Sequence, residues 1–199
     1  MLPPFLKHRF AASTEPFYDA VFDHNPPVGP IRTLWWPAAR TGAVPSTVVV
    51  FFPGTLIPFG GTLTQNEEGN PGILDFYTQF LTALHNENRT CTLAIMAHSH
   101  IGHSPEIDDQ HAGHATSYSL STQIQGALEA YDAIRYYYPQ QTKIVLIGHS
   151  VGAWIALQAS LQDFGLMHLL TTACVLGAKS KATRRGSCFP IIPHYRTYF

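Results

Sequence analysis

The stretch Lys143-Ile144-Val145-Leu146-Ile147-Gly148-His149-Ser150-Val151-Gly152-Ala153-Trp154-Ile155-Ala156-Leu157-Gln158 constrains this chain more than any other. An apolar run rich in branched residues stops at Gly148, and apolar residues resume beyond it with helical rather than strand character. The order is strand, tight turn, helix. Gly148 and Gly152 bracket Ser150 as Gly-x-Ser-x-Gly, placing residues without side chains where the chain must double back and hold a serine in strained backbone geometry. Such a serine projects above the carboxyl end of a sheet. The helix that follows aims its N-terminal N–H groups at developing negative charge, and the N–H of Val151 becomes one natural oxyanion donor. The bland alternative is an ordinary glycine-rich turn, since the pattern alone arises by chance. Here the buried-type strand before it and the alanine-rich helix after it supply the context that a nucleophile turn requires.

A chain of 199 residues that is 45% hydrophobic and 13% charged can bury one sizeable core but not two comfortable ones. Residues 1–199 therefore read as one domain, its core spanning about 31–176 and its basic 177–199 tail irregular. A net charge of −1 without a basic stripe gives no electrostatic case for a DNA or RNA partner. Cys91, Cys174 and Cys188 are odd in number and widely spaced, which reads as reduced thiols in an intracellular protein; Cys91 and Cys174 sit in apolar runs and read as packing residues. No apolar run is long enough to cross a membrane, and Met1–Lys7 lacks the apolar core of a signal peptide.

Along the chain, residues 1–30 read as loop around a strand near Phe17–Phe22 and carry no functional signal. Ile31–Trp36 reads as a second strand. Thr47–Phe52 is continuous, β-branched and aromatic, as expected of a strand buried on both faces of a parallel sheet, and it runs into Pro53-Gly54. Residues 55–69 have no period and read as a loop, long enough to be a lid or an insertion. In Ile73–His85 the apolar positions 73, 76, 77, 80, 81 and 84 fit one helical face. Leu93–Ala97 reads as a short buried strand. Tyr118–Tyr138 reads as a long helix with Leu120, Ile124, Leu128, Tyr131 and Ile134 at helical spacing and Pro139 as its stop. Alternating strands and helices predict an α/β fold with a mostly parallel sheet and right-handed crossovers.

His98-Ser99-His100-Ile101-Gly102-His103, with His111 and His114 behind, is the sharpest rival signal. His98, His100 and His103 stand at a spacing that can close on a metal, which would make the chain a metal-dependent hydrolase. Gly102 stands where the His-x-His-x-Asp-His pattern of metallo-β-lactamase-like hydrolases has its aspartate, and no downstream histidine sits on a clear ligand-bearing turn. The plainer reading gives these histidines to the wall of a pocket, with no metal and no cofactor.

Several motifs now line up: Phe51-Phe52-Pro53-Gly54, the Asn70–Tyr77 stretch, Ser99–His103, Leu120 with Gln123-Ile124, and Leu146–Ala153. Together, and in this order from about residue 47 to 160, they resemble the lipid droplet-associated hydrolase family of α/β-hydrolases. The resemblance implies a three-layer α/β-hydrolase sandwich and a serine hydrolase acting on lipid carboxylic esters, sterol esters or acylglycerols, at lipid droplets and in the cytoplasm, with the endoplasmic reticulum surface as an alternative location. It makes Ser150 the nucleophile. It also gives one oxyanion N–H to Val151 and the second to the loop after Gly54, at Thr55 or Asn70, with Gly148, His149, Gly152, His100 and His103 supporting the turn and pocket.

Two departures follow. Closing Gly54 directly onto Asn70 restores the family's pattern, so residues 55–69 look like an insertion at the oxyanion loop. After Ser150 the only carboxylate side chain is Asp163 and the only histidines are His168 and His194, whereas a triad in this fold carries its acid and then its histidine on later loops. The chain thus reads as truncated or frame-altered near residues 165–180, its C-terminal strands and helices missing. A non-catalytic relative that binds lipid or a droplet surface is the alternative to a working esterase.

Overall fold

The computed structural model describes residues 1–10, 14–39, 44–54, 73–88, 90, 92–104, 107 and 119–162. Strands β1 (Leu6–His8), β2 (Tyr18–Asp23), β3 (Pro30–Trp36) and β4 (Thr47–Phe52) come first. A 3-10 turn (Ile73–Tyr77), α1 (Thr78–Asn86), β5 (Leu93–His98), α2 (Leu120–Tyr137), β6 (Lys143–Gly148) and α3 (Val151–Gln162) follow. The strands form one mixed sheet in the order β1-β2-β3-β5-β4-β6. The β5-β4-β6 half is parallel, and β1, β2, β3 and β5 pair antiparallel in sequence. Strand β5 inserts between β3 and β4 because a parallel partner for β4 must come from a crossover connection rather than a hairpin.

Alternate residues of the central strands face two separate cores, which explains why those strands are apolar throughout. Val48, Val50 and Phe52 of β4, with Ala94 and Met96 of β5, pack against Ile124, Ala127, Ala130, Tyr131 and Ile134 of α2 and Ile155, Ala156 and Ala159 of α3. Val49 and Phe51, with Ile95 and Ala97, pack on the other face against Leu74, Tyr77 and Leu81. Helices on both faces of one sheet make the three-layer α/β architecture that the alternating pattern predicts. A fully buried residue such as Ile134 or Leu81 contributes about 1.5–3 kcal/mol to this arrangement.

The structure shifts several expectations. The buried set Leu6, Ala20 and Phe22 carries the core N-terminal of residue 31, and β1 is an additional strand too short to show a period in sequence. The segment from Ile73 opens as a 3-10 turn before α1 begins at Thr78. Three residues per turn instead of 3.6 rotates the face: Leu74, Tyr77 and Leu81 are buried, whereas Phe76 and Phe80, expected on the inner face, are 74% and 49% exposed. Helix α2 starts at Leu120, after Ser119, whose Oγ accepts the Thr122 N–H at 3.2 Å; Leu120 itself is exposed. Residues 55–69, Asn70, Cys91, Cys174, Cys188 and everything beyond 162 lie outside the described residues.

Candidate active site

β6 ends at Gly148 and α3 begins at Val151, leaving two residues to reverse the chain. Ser150 takes φ 54°, the one positive φ at a non-glycine among the described residues, in the left-handed region that a side chain enters at a cost of about 1–2 kcal/mol. The glycines on either side show why the turn holds it there. A Cβ on Gly148 would lie 2.3 Å from the backbone nitrogen of Ala153, and one on Gly152 would lie 2.3 Å from the carbonyl oxygens of both Phe52 and Pro53. The turn therefore folds onto its own helix and onto the end of β4. Ser150 is exposed. As the first residue of α3, Val151 has no carbonyl one turn back within the helix for its N–H.

The end of β4 lies directly against this turn. The His149 N–H donates to the Phe52 carbonyl at 3.0 Å, and a Cβ on Gly54 would sit 3.1 Å from the Ser150 Cβ and 2.5 Å from His149 Nδ1. Tyr77 closes the arrangement from the 3-10 turn. Its hydroxyl is 2.6 Å from His149 Nδ1 and accepts the Gly54 N–H at 3.2 Å. Burial raises the Tyr77 pKa, and the Gly54 N–H offsets this only in part, so the phenol stays protonated at neutral pH and remains a donor. The sequence pattern showed Tyr77 only as a helical-face residue. Its one other sign was its place at the end of the Asn70–Tyr77 stretch.

His100 is 97% withdrawn from solvent, with 3% exposure, and its Nε2–H donates to the Pro53 carbonyl at 2.7 Å. Burial lowers its pKa to about 4, against the pull of that carbonyl, with His103 adding a smaller push in the same direction. The His103 ring lies 5.7 Å from the His100 ring, and the His103 backbone N–H donates to the His100 carbonyl. His98 is the last residue of β5, one beyond the strand Leu93–Ala97 read from the sequence. It points into the α2-side core, its ring against Phe22 and Phe52 and its Nε2 2.8 Å from Nε2 of His24. His24 in turn lies 3.0 Å from Glu129 through Nδ1. A carboxylate on Nδ1 makes that nitrogen the donor, leaves His24 Nε2 as acceptor and requires His98 to donate from Nε2. Burial lowers His24 to about 4 and His98 well below its usual range.

Nε2 of His98 and Nε2 of His100 are engaged by different partners, and among the described residues no group of three or more His, Cys, Asp or Glu is placed to hold a metal ion. These bonds also give residues 1–30 a role that the sequence did not show, since His24 locks the end of β2 to β5 and α2. Thr55, Asn70, His111, His114, Asp163, His168 and His194 lie outside the described residues. Among the described residues no helix is long and apolar enough to cross a membrane. A groove of about 730 Å³ between β2 and α1, lined by Phe17, Tyr18, Asp19, Arg32, Asp75 and Thr78 among others, does not include Ser150.

Comparison with known proteins agrees with this architecture. Residues 68–176 match the profile of the family described as lipid-droplet associated hydrolase. A lipid droplet-associated hydrolase of Drosophila melanogaster is 34% identical over 106 residues, covering 49% of this chain and 34% of the fly protein. One of Pongo abelii is 34% identical over 100 residues, covering 45% and 30% respectively. The matched stretch thus spans about a third of these relatives' length. Among solved structures, a lipase in its open form superposes with TM-score 0.53 at 17% identity, over 79% of this chain and 44% of the lipase. A thermostable carboxyl esterase from Bacillus coagulans, in complex with glycerol, superposes with TM-score 0.52 at 16% identity, over 81% and 44%. At such identities the structural likeness concerns the fold alone, an α/β-hydrolase fold. The family profile covers more than half of the chain, and this protein belongs to the lipid droplet-associated hydrolase family.

Proposed function

We propose that the chain carries the nucleophile half of a serine hydrolase acting on lipid carboxylic esters at a lipid droplet surface, with Ser150 as the attacking residue. The observation that carries this reading is the strained, exposed position of Ser150 at a strand-to-helix corner, with Gly54 against it and the N-terminus of α3 behind it. In the reaction a base takes the hydroxyl proton of Ser150, Oγ bonds to the ester carbonyl carbon, and the Val151 N–H donates to the carbonyl oxygen as it becomes an oxyanion. Collapse breaks the ester C–O bond, the alcohol leaves with a proton, and water then releases the fatty acid. The second oxyanion N–H falls to Thr55 or Asn70. The base and its orienting acid, which this fold carries on loops after later strands, act with the serine as a unit, and removing either would lower turnover by several orders of magnitude. The lipid character of the substrate is supported by the names of the relatives, and by Phe76 and Phe80, which leave two aromatic rings in solvent on either side of Tyr77.

A fluorophosphonate probe tests the assignment. The wild-type chain is expected to label and Ser150→Ala not to; equal labelling of both refutes Ser150 as nucleophile. The exposed rings favour one second reading, a non-catalytic chain that docks on lipid. In that case Ser150→Ala and wild type float equally with a triacylglycerol emulsion, while neither labels.

A further inference from the structure

The peptide group joining Pro53 to Gly54 is held at both of its polar atoms. Its carbonyl accepts from His100 Nε2–H at 2.7 Å, and its N–H donates to the Tyr77 hydroxyl at 3.2 Å. This peptide is not among the cis bonds of the described chain, so the two atoms point to opposite sides of a planar unit and the two side chains grip it from opposite directions. The same carbonyl packs where a Cβ on Gly152 would be, 2.3 Å away. The Tyr77 hydroxyl also reaches the residue before Ser150, 2.6 Å from His149 Nδ1. Two segments far apart in sequence, the end of β4 and the corner at Ser150, are thus tied to each other by one phenol. Its ring is kept in place by packing on Phe51, with centroids 4.8 Å apart. A buried histidine and a buried tyrosine are costly means of fixing one loop peptide unless its orientation matters. Preorganised backbone dipoles matter most where charge develops during a reaction.

We propose that Tyr77 and His100 are positioning residues for the reaction of Ser150, setting the Pro53–Gly54 peptide plane, and with it the direction in which the chain leaves β4 beside the serine, relative to the turn. The Tyr77 oxygen accepts from Gly54, and the same hydroxyl is within hydrogen-bond reach of His149 Nδ1. Neither side chain need touch substrate. This assignment rests on Ser150 being the nucleophile.

The test measures two things on the full chain: the second-order rate of fluorophosphonate labelling, and amide hydrogen exchange at Gly54 against Val49 and Val50 within β4. Tyr77→Phe keeps the ring and removes the clamp. It is expected to raise Gly54 exchange about tenfold and to slow labelling by about tenfold or more, with Val49 and Val50 unchanged. His100→Gln, whose amide can still reach the Pro53 carbonyl, is expected to retain most of the labelling rate, and His100→Phe to lose it. Thr82→Val serves as a stability control on α1: it removes the acceptor of the Trp36 indole N–H, lowering the melting temperature without slowing labelling. If Tyr77→Phe labels at the wild-type rate, or if Thr82→Val slows labelling as much as Tyr77→Phe does, the positioning role is overturned while the nucleophile stands. If the wild-type chain does not label at all, the nucleophile assignment fails, and the positioning role fails with it.

Discussion

Lowering the pH from 7.5 to 5 is expected to cost this fold about 6 kcal/mol through three histidines alone. His24, His98 and His100 are 8%, 2% and 3% exposed, and burial depresses all three below the ordinary value of 6.5, to about 4 for His24 and His100 and further for His98. The groups facing them do not reverse this. Glu129 and Asp23 raise His24, His24 and His100 lower His98, and His103 lowers His100. Well above pH 6.5, near pH 7.5 and beyond, both folded and unfolded chains hold these rings almost wholly neutral, and the rings contribute little to the pH dependence. As the pH falls through 6.5 the unfolded chain takes up protons that the folded chain refuses, so stability falls with acidity until the folded rings titrate near pH 4 or lower. At pH 5 each ring contributes a loss of about 2 kcal/mol, and the limiting slope is about 4 kcal/mol per pH unit for three protons. A domain with a total stability of about 5–15 kcal/mol would lose much of it. Urea unfolding at pH 7.5, 6.5, 5.5 and 5.0 measures the slope directly. His24→Gln should reduce it by about one proton, or about 1.4 kcal/mol per pH unit, whatever the substitution does to stability at pH 7.5. A wild-type slope below one proton between pH 6 and 5, or one unchanged in His24→Gln, would refute the buried neutral assignment.

Gly152→Ala should destabilise the fold by about 2–3 kcal/mol, or about 4–12 °C in melting temperature, because the new methyl group meets two backbone carbonyls rather than a side chain that can move. Fluorophosphonate labelling of the protein that remains folded should fall as well, and a melting temperature within a degree of wild type would contradict the close approach of β4 to the turn. Arg32 is bonded by its Nε and Nη2 to Asp19 and by Nη1 and Nη2 to Asp75, and these bonds raise its pKa against the opposing effect of burial. Arg32→Met should cost about 3 kcal/mol at pH 7, since it removes the partner shared by Asp19 and Asp75, of which Asp19 keeps only a bond of 3.4 Å from Arg9 among those described. Thermal denaturation checks this, and a loss below about 1 kcal/mol would mean that these ion pairs behave as exposed ones and are not what Arg32 contributes.

The elements that could be read from sequence are those whose cause is local. Thr47–Phe52 is a strand because branched and aromatic residues suit a ribbon buried on both faces, Lys143–Gly148 because branched residues suit one buried on one face and half-buried on the other, and the structure begins and ends both where the sequence does. Helix α2 carries its own start in Ser119 and its stop in Pro139, so its limits moved by only one or two residues. The Gly148-Ser150-Gly152 corner is written in side chains that are absent, and steric exclusion is local enough to be read from three positions.

What the chain could not show by itself depended on which distant segments meet. The 3-10 start at Ile73 turned Phe76 and Phe80 outward because Tyr77 is held by Gly54 and His149, both more than twenty residues away. Three histidines in a row of six residues looked like a ligand set until the fold sent one toward His24 and Glu129 and another toward Pro53. A hydrogen bond has a direction and a partner, and neither exists until the sheet order has set β5 between β3 and β4. Periodicity and steric bulk act within a few residues and survive in the sequence, whereas the pairing of buried polar atoms is decided only when the layers close.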